Sequence, residues 1–113
     1  MSIEDHTRAD GGAEQRSRMG RALARGGFED VLVIDRETAK KVLAEKRQEL
    51  IARIREGSIE SVRGLAADLD RDISGVSRDL DLLAVNDIVE YETDDRRKIP
   101  HLKHQTVVVE PIA

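Results

Sequence analysis

The side chains best suited to chemistry lie between residues 63 and 98. Ser74, Gly75, Ser77 and Arg78 cluster near the start of an amphipathic stretch, and Arg96-Arg97-Lys98 form the densest basic run of the region expected to be ordered. Small residues let a helix approach closely, hydroxyls bond base edges or phosphates, and an arginine fork matches guanine, so this combination suits the major groove of a duplex. Arg63 and Arg71, a little upstream, join the set of candidate contacts. Other chemistries have little support. The chain has no Cys, which rules out disulfides and thiolate metal sites. His101 and His104 would face opposite sides of a strand and have no carboxylate beside them in sequence, so no metal site is expected. No nucleophile–base pair, phosphate-cradling glycine loop or pair of catalytic carboxylates stands out, and neither an enzyme nor a cofactor is expected.

These residues need elements to hold them. Ser61 is the expected N-cap of a helix from about Val62 to Leu69, with Val62, Leu65, Ala66 and Leu69 on its inner face. A turn, Asp70-Arg71-Asp72, leads to a second helix from about Ile73 to Val85, capped by Asp72, with Ile73, Val76, Leu80 and Leu83 inward. Ser74, Arg78 and Asp81 then project farthest outward, flanked by Gly75 and Ser77. Asn86-Asp87 closes the helix, since both residue types tolerate the left-handed conformation. The period then changes from 3.6 to 2: Ile88–Tyr91 reads as a strand, 92–98 as a hairpin tip, Ile99–Leu102 as the return strand, and Val107–Val109 as a further strand ended by Pro111. Upstream, Phe28–Ile34 reads as a strand. Asp35 is the expected cap of a helix over 36–56 that Gly57 ends, with an interruption of its apolar stripe at Lys46 or Arg47 and a break or kink near Ala44. Glu37 with Lys41 and Glu49 with Arg53 are spaced to pair. Residues 1–27 read as a flexible basic arm, which would either contact phosphates or the minor groove or stay solvated.

Residues 65–89 resemble the winged helix-turn-helix of MarR-like bacterial and archaeal regulators. Leu65-Ala66, Leu69, Val76-Ser77-Arg78, Leu80, Leu83, Asp87 and Ile88-Val89 fall on that pattern without a gap. The chain is still more similar to short archaeal and plasmid-type regulators through Arg71-Asp72-Ile73-Ser74, Val76, Arg78-Asp79-Leu80 and Arg96-Arg97-Lys98-Ile99-Pro100, and the similarity extends upstream through residues 44–54. The resemblance implies an α+β fold. A three-helix core and a β-hairpin wing would occupy residues 28–113, with the helix-turn-helix at 61–85 and the wing at 88–102. A recognition helix at about 73–85 would enter the major groove of double-stranded DNA, and residues 92–98 would ride on the backbone or minor groove. A homodimer reading two half-sites is the expected state, with the helix at 36–56 and the strand at 28–34 as candidate contacts. Asp70 and Asp87 depart from the pattern where glycine is common. Asp81 departs more seriously, since it lies on the outward face where a basic or neutral residue is usual.

Charge bears against a simple DNA-binding reading. The 113 residues include 19 basic and 23 acidic side chains, and residues 59–103 alone hold 11 acidic and 7 basic. Two explanations stand. One is a salty cytoplasm, where the Debye length falls to about 3 Å at molar ionic strength; the other is a mildly acidic protein with a local basic patch. The same surplus keeps an alternative open, a winged helix that binds protein, such as an antitoxin or an adaptor subunit. With one Phe, one Tyr and no Trp, the core must be aliphatic. No apolar run approaches a membrane span, and the N-terminal residues lack the hydrophobic stretch of a secretory signal, so a soluble cytoplasmic protein is expected.

Overall fold

The computed structural model describes residues 2–27 and 30–110, with side chains from residue 12 onward. The chain is an α+β protein. Its elements in order are α1 (Ser2–Arg25), β1 (Val31–Ile34), α2 (Arg36–Val42), α3 (Glu45–Glu56), α4 (Val62–Asp68), α5 (Ile73–Val85), β2 (Val89–Asp94), β3 (Arg97–Leu102) and β4 (Thr106–Val109). Strands β2 and β3 form an antiparallel hairpin, and β1 pairs with β4 in parallel. Phe28, Glu29 and Pro111, which the sequence reading included in or beside strands, lie outside the described residues.

The helices begin where the sequence supplies caps. Asp35 accepts from Thr38 N at 2.7 Å, Ser61 from Gly64 N at 2.9 Å, and Asp72 from Gly75 N at 3.4 Å. These side chains satisfy first-turn amides that have no partner within the helix. The expected helix over 36–56 is broken into α2 and α3 at Ala44. The polar residues that interrupt the apolar stripe close the break. Arg47 Nη1 donates to the carbonyl of Lys41 at 2.5 Å and Gln48 Nε2 to that of Leu43 at 2.6 Å, covering the end of α2. Arg53 turns to Asp68 and to the carbonyl of Gly57, while Glu37 meets Lys40 at 3.4 Å.

Val42, Leu50, Leu65, Ala66, Val76, Leu80 and Leu83 are completely buried, and Ile54, Ile88 and Val89 nearly so. Ala66 sits inside this core, where a larger side chain would hold α4 away from its neighbours. Five of these positions, Leu65, Ala66, Val76, Leu80 and Leu83, are inner-face residues of the helix pair read from the sequence. Ile73 is a correction: expected inward, it is 38% exposed. It belongs to the first turn of α5, beyond the reach of α3, and borders the cleft described below.

Within the stretch expected as a flexible basic arm, the chain is helical over Ser2–Arg25. Residues 13–25 are rich in Ala, Glu, Gln, Arg, Met and Leu, all strong helix formers. Arg18 also reaches back to Glu14 at 2.6 Å. Too few apolar side chains are present to mark a periodic stripe; α1 is instead held by docking on β1. Arg16 reaches Glu110 at 3.4 Å, and Glu110 in turn accepts from the amide of Arg36, linking α1, the end of β4 and the start of α2.

The hairpin is longer and its turn tighter than the sequence suggests. Register runs from Val89 opposite Leu102 to Asp94 opposite Arg97, leaving Asp95 and Arg96 as the connection. Beyond Tyr91 both faces of β2 meet solvent, so the outer part of the ladder needs no apolar alternation and gave no period-2 signal. Asp95 takes φ 57° at the turn, as Asp70 (φ 52°) does after α4 and Asp87 (φ 64°) after α5. Aspartate is one of the few residues with a side chain that visits this region readily.

Candidate nucleic-acid interface

The start of helix α4, helix α5 and the β2–β3 hairpin surround one open cleft of about 400 Å³. Ser61 and Arg63 border it from α4, Ile73, Ser77 and Asp81 from α5, and Tyr91, Arg96, Arg97 and Lys98 from the hairpin. Of the nine candidate contacts read from the sequence, five therefore share one cavity: Arg63, Ser77, Arg96, Arg97 and Lys98. Ser74 and Arg78 are exposed on the adjoining outward face of α5. Gly75 is half-buried on the opposite flank, and a Cβ built there would lie 3.8 Å from Arg71 Nη2, in ordinary contact.

Arg71 does not belong to the open surface. Its side chain is 17% exposed, and Nη2 donates to Asp79 Oδ2 at 2.7 Å. Arg47 Nε lies 3.3 Å from the other oxygen of the same carboxylate. Asp79 is thus clamped between two guanidiniums, one from α3 and one from the turn, and fixes α5 against both. Nothing in the linear order places α3 beside α5, so Arg47 gives no sequence signal as a partner of Asp79.

Local bonding sets the state of the cleft. The Ser74 hydroxyl donates to Asp72, and with the Gly75 amide and the more distant charge of Arg78 it holds the Asp72 carboxyl below its ordinary range. Tyr91 OH donates to Asp81 Oδ1 at 2.8 Å. Partial burial, followed by that carboxylate, raises the phenol well above its usual value. The Lys98 ammonium sits 4.2 Å from the centre of the Tyr91 ring, a cation–π contact. Tyr91 therefore links α5 to the hairpin, a role its place in a short strand did not signal.

The acidic surplus is distributed unevenly. Asp68 pairs with Arg53 at 2.9 Å, Asp87 with Lys103 at 3.0 Å, Glu92 with His101 at 2.8 Å, and Asp79 with Arg47 and Arg71. Arg97 pairs with Asp94 at 3.3 Å. Arg63, Arg78 and Arg96 form no hydrogen bond or ion pair with any described residue. His104 pairs with Asp30 at 3.0 Å, well apart from His101 and its glutamate. Among the described residues no group of three His, Asp or Glu side chains converges as a metal site, and no helix is long and apolar enough to cross a membrane.

The fold is thus a helix pair with a hairpin beside its second helix, and the cleft between them is bordered by Arg63 and Arg96 without carboxylate partners among the described residues. Residues 42–109 match the family model HVO_A0114, and the chain belongs to that family. The match runs from the end of α2 to the end of β4, so it takes in every element around the cleft. No curated protein matches the chain.

Proposed function

We propose that this protein is a sequence-specific double-stranded DNA-binding transcriptional regulator built as a winged helix-turn-helix. Helix α5 enters the major groove, and the β2–β3 hairpin acts as the wing on the sugar–phosphate backbone. It works in the cytoplasm as a homodimer on paired half-sites. The observation that carries this reading is the segregation of charge. Arg63 and Arg96 border one cleft and Arg78 the face beside it, all without carboxylate partners among the described residues, while Asp68, Asp79 and Asp87 are engaged with cations elsewhere on the module. A ligand meeting that cleft encounters a local positive surface, although residues 59–103 carry an excess of acids. Roles follow from position: Arg78, Ser74 and Ser77 read the groove, and Arg63, Arg96, Arg97 and Lys98 hold phosphates.

Fluorescence anisotropy with genomic-fragment duplexes over a salt series tests this. Arg78 is exposed and unpaired, so Arg78→Ala should leave the melting temperature nearly unchanged and weaken binding by roughly tenfold or more. Replacing Arg96, Arg97 and Lys98 together by Ala should reduce the slope of log K against log salt by about 2 to 3. Binding left intact in both variants, or no duplex binding by the parent protein at any salt, would refute the proposal. The second outcome, together with capture of a protein partner, would favour the adaptor reading.

A further inference from the structure

An acidic side chain on a DNA-facing helix weakens every phosphate-driven contact, so Asp81 needs a reason to be there. Oδ1 is fixed by the Tyr91 hydroxyl at 2.8 Å, and that ring is in turn covered by the Lys98 ammonium. Oδ2 has no donor among the described residues, and the side chain is exposed at the mouth of the cleft. Nor is the carboxylate neutralised locally: Arg78, one turn earlier on the same face, forms no ion pair with it. The result is an exposed carboxylate tethered to the hairpin through one oxygen, with the other left without a protein donor among the described residues. Water reaches that oxygen in the free protein; where a ligand displaces the water, a hydrogen-bond donor on the ligand must replace it.

We infer that Asp81 reads the exocyclic amino group of a cytosine in the major groove, beside the base contacted by Arg78. This rests on the DNA-binding reading above. Among groove edges, cytosine offers N4–H₂ as its polar group, whereas thymine presents O4 and guanine O6 and N7, all acceptors that repel a carboxylate. Adenine has an amino group, but its N7 acceptor lies next to it. The spacing agrees. Three helical residues advance about 4.5 Å along the axis, a little over one base step of about 3.4 Å. Arg78 on guanine and Asp81 on cytosine therefore address adjoining base pairs. Asp81 gives up general affinity for discrimination, and Tyr91 is a positioning residue that acts through it.

In vitro selection from a pool of random duplexes, with the full chain, tests the assignment. The parent protein should enrich sites with a guanine and, at the adjoining pair, a cytosine preferred over thymine by about tenfold or more. Asp81→Asn keeps the shape and the bond from Tyr91 but turns the free end into a donor. It should abolish the cytosine preference, shift it toward a base with an acceptor, and raise affinity for unselected DNA. Tyr91→Phe should blur the preference at that position while leaving the guanine. A merely structural Asp81 would change stability and leave the selected motif alone. The same motif from parent and Asp81→Asn, or a parent motif with no cytosine there, overturns the inference while leaving the DNA-binding reading intact. No enrichment by the parent removes both.

Discussion

Asp79 allows the sharpest test of what holds α5 in place. Asp79→Ala removes the one carboxylate between Arg47 and Arg71, whose side chains are 27% and 17% exposed, Asp79 itself being 16% exposed. Removing one partner of a fully buried pair costs about 3–5 kcal/mol, and an exposed pair contributes about 0–1. This site lies between the limits. Arg71 loses its 2.7 Å bond and gains little water, and its Nη1 is already buried without a partner. Arg47 keeps its bond to the Lys41 carbonyl. A gain of a few tenths of a kcal/mol from alanine's helix propensity offsets little. The expected loss is about 2–3 kcal/mol, read as a drop of roughly 1–2 M in the urea midpoint at unchanged m-value. Because the contacts are short and shielded, most of the loss should persist in 1 M NaCl, where the Debye length is about 3 Å. In an Arg71→Met background the effect of Asp79→Ala should shrink by more than about 1 kcal/mol, since one stranded charge is gone. A loss under about 0.5 kcal/mol, or one erased by salt, would show the clamp to be an ordinary surface pair and refute the reasoning.

Three further outcomes follow from the caps and the titrating groups. Asp35→Ala should destabilise by about 1 kcal/mol in urea unfolding, and Asp35→Asn by clearly less, because the amide oxygen still accepts from Thr38. The carboxyls of Asp35 and Asp72 are held below their ordinary value of 3.8, the first chiefly by Thr38 and the second chiefly by Ser74. Their contribution is therefore whole above pH 3.8 and lost as pH falls through the lower folded-state values, so Asp35→Asn with Asp72→Asn should flatten the acid limb of the stability profile. Tyr91 and Lys103 are shifted upward from 10.0 and 10.5, by burial and Asp81 in the first case and by Asp87 in the second. That contribution is whole below about pH 10 and lost as pH rises further, so Tyr91→Phe should reduce the alkaline loss measured by thermal melts.

What could be read from the sequence was what depends on near neighbours in the chain. The caps at Asp35, Ser61 and Asp72, the left-handed stop at Asp87 and the inner faces of α4 and α5 all follow from residues within four positions of one another, and, Ile73 apart, all are present. The interruption at Ala44 was legible for the same reason. Three features were not legible. Helix α1 lacks an apolar stripe because its stability comes from helix propensity and contact with β1. The outer hairpin lacks alternation because both its faces meet solvent. Arg71 looked like a groove contact because Arg47, which shares the Asp79 carboxylate with it, lies 24 residues away and arrives there only once α3, the turn and α5 have packed.

The same distinction explains why a net charge counted along residues 59–103 argues poorly about binding. That count treats Asp79 and Asp81 alike, two acids two residues apart on one helix. Folding separates them by half the circumference of α5. Asp79 turns toward the protein and is neutralised by two arginines, whereas Asp81 turns toward the cleft and is oriented by a phenol without being neutralised. Removing Asp79 should therefore weaken the fold through the cations it leaves behind. Removing the charge of Asp81 should leave those cations undisturbed and act on the ligand instead, strengthening indiscriminate attraction to a polyanion as it loses the distinction between bases. Opposite consequences from two aspartates of equal formal charge are what the charge segregation around the cleft requires.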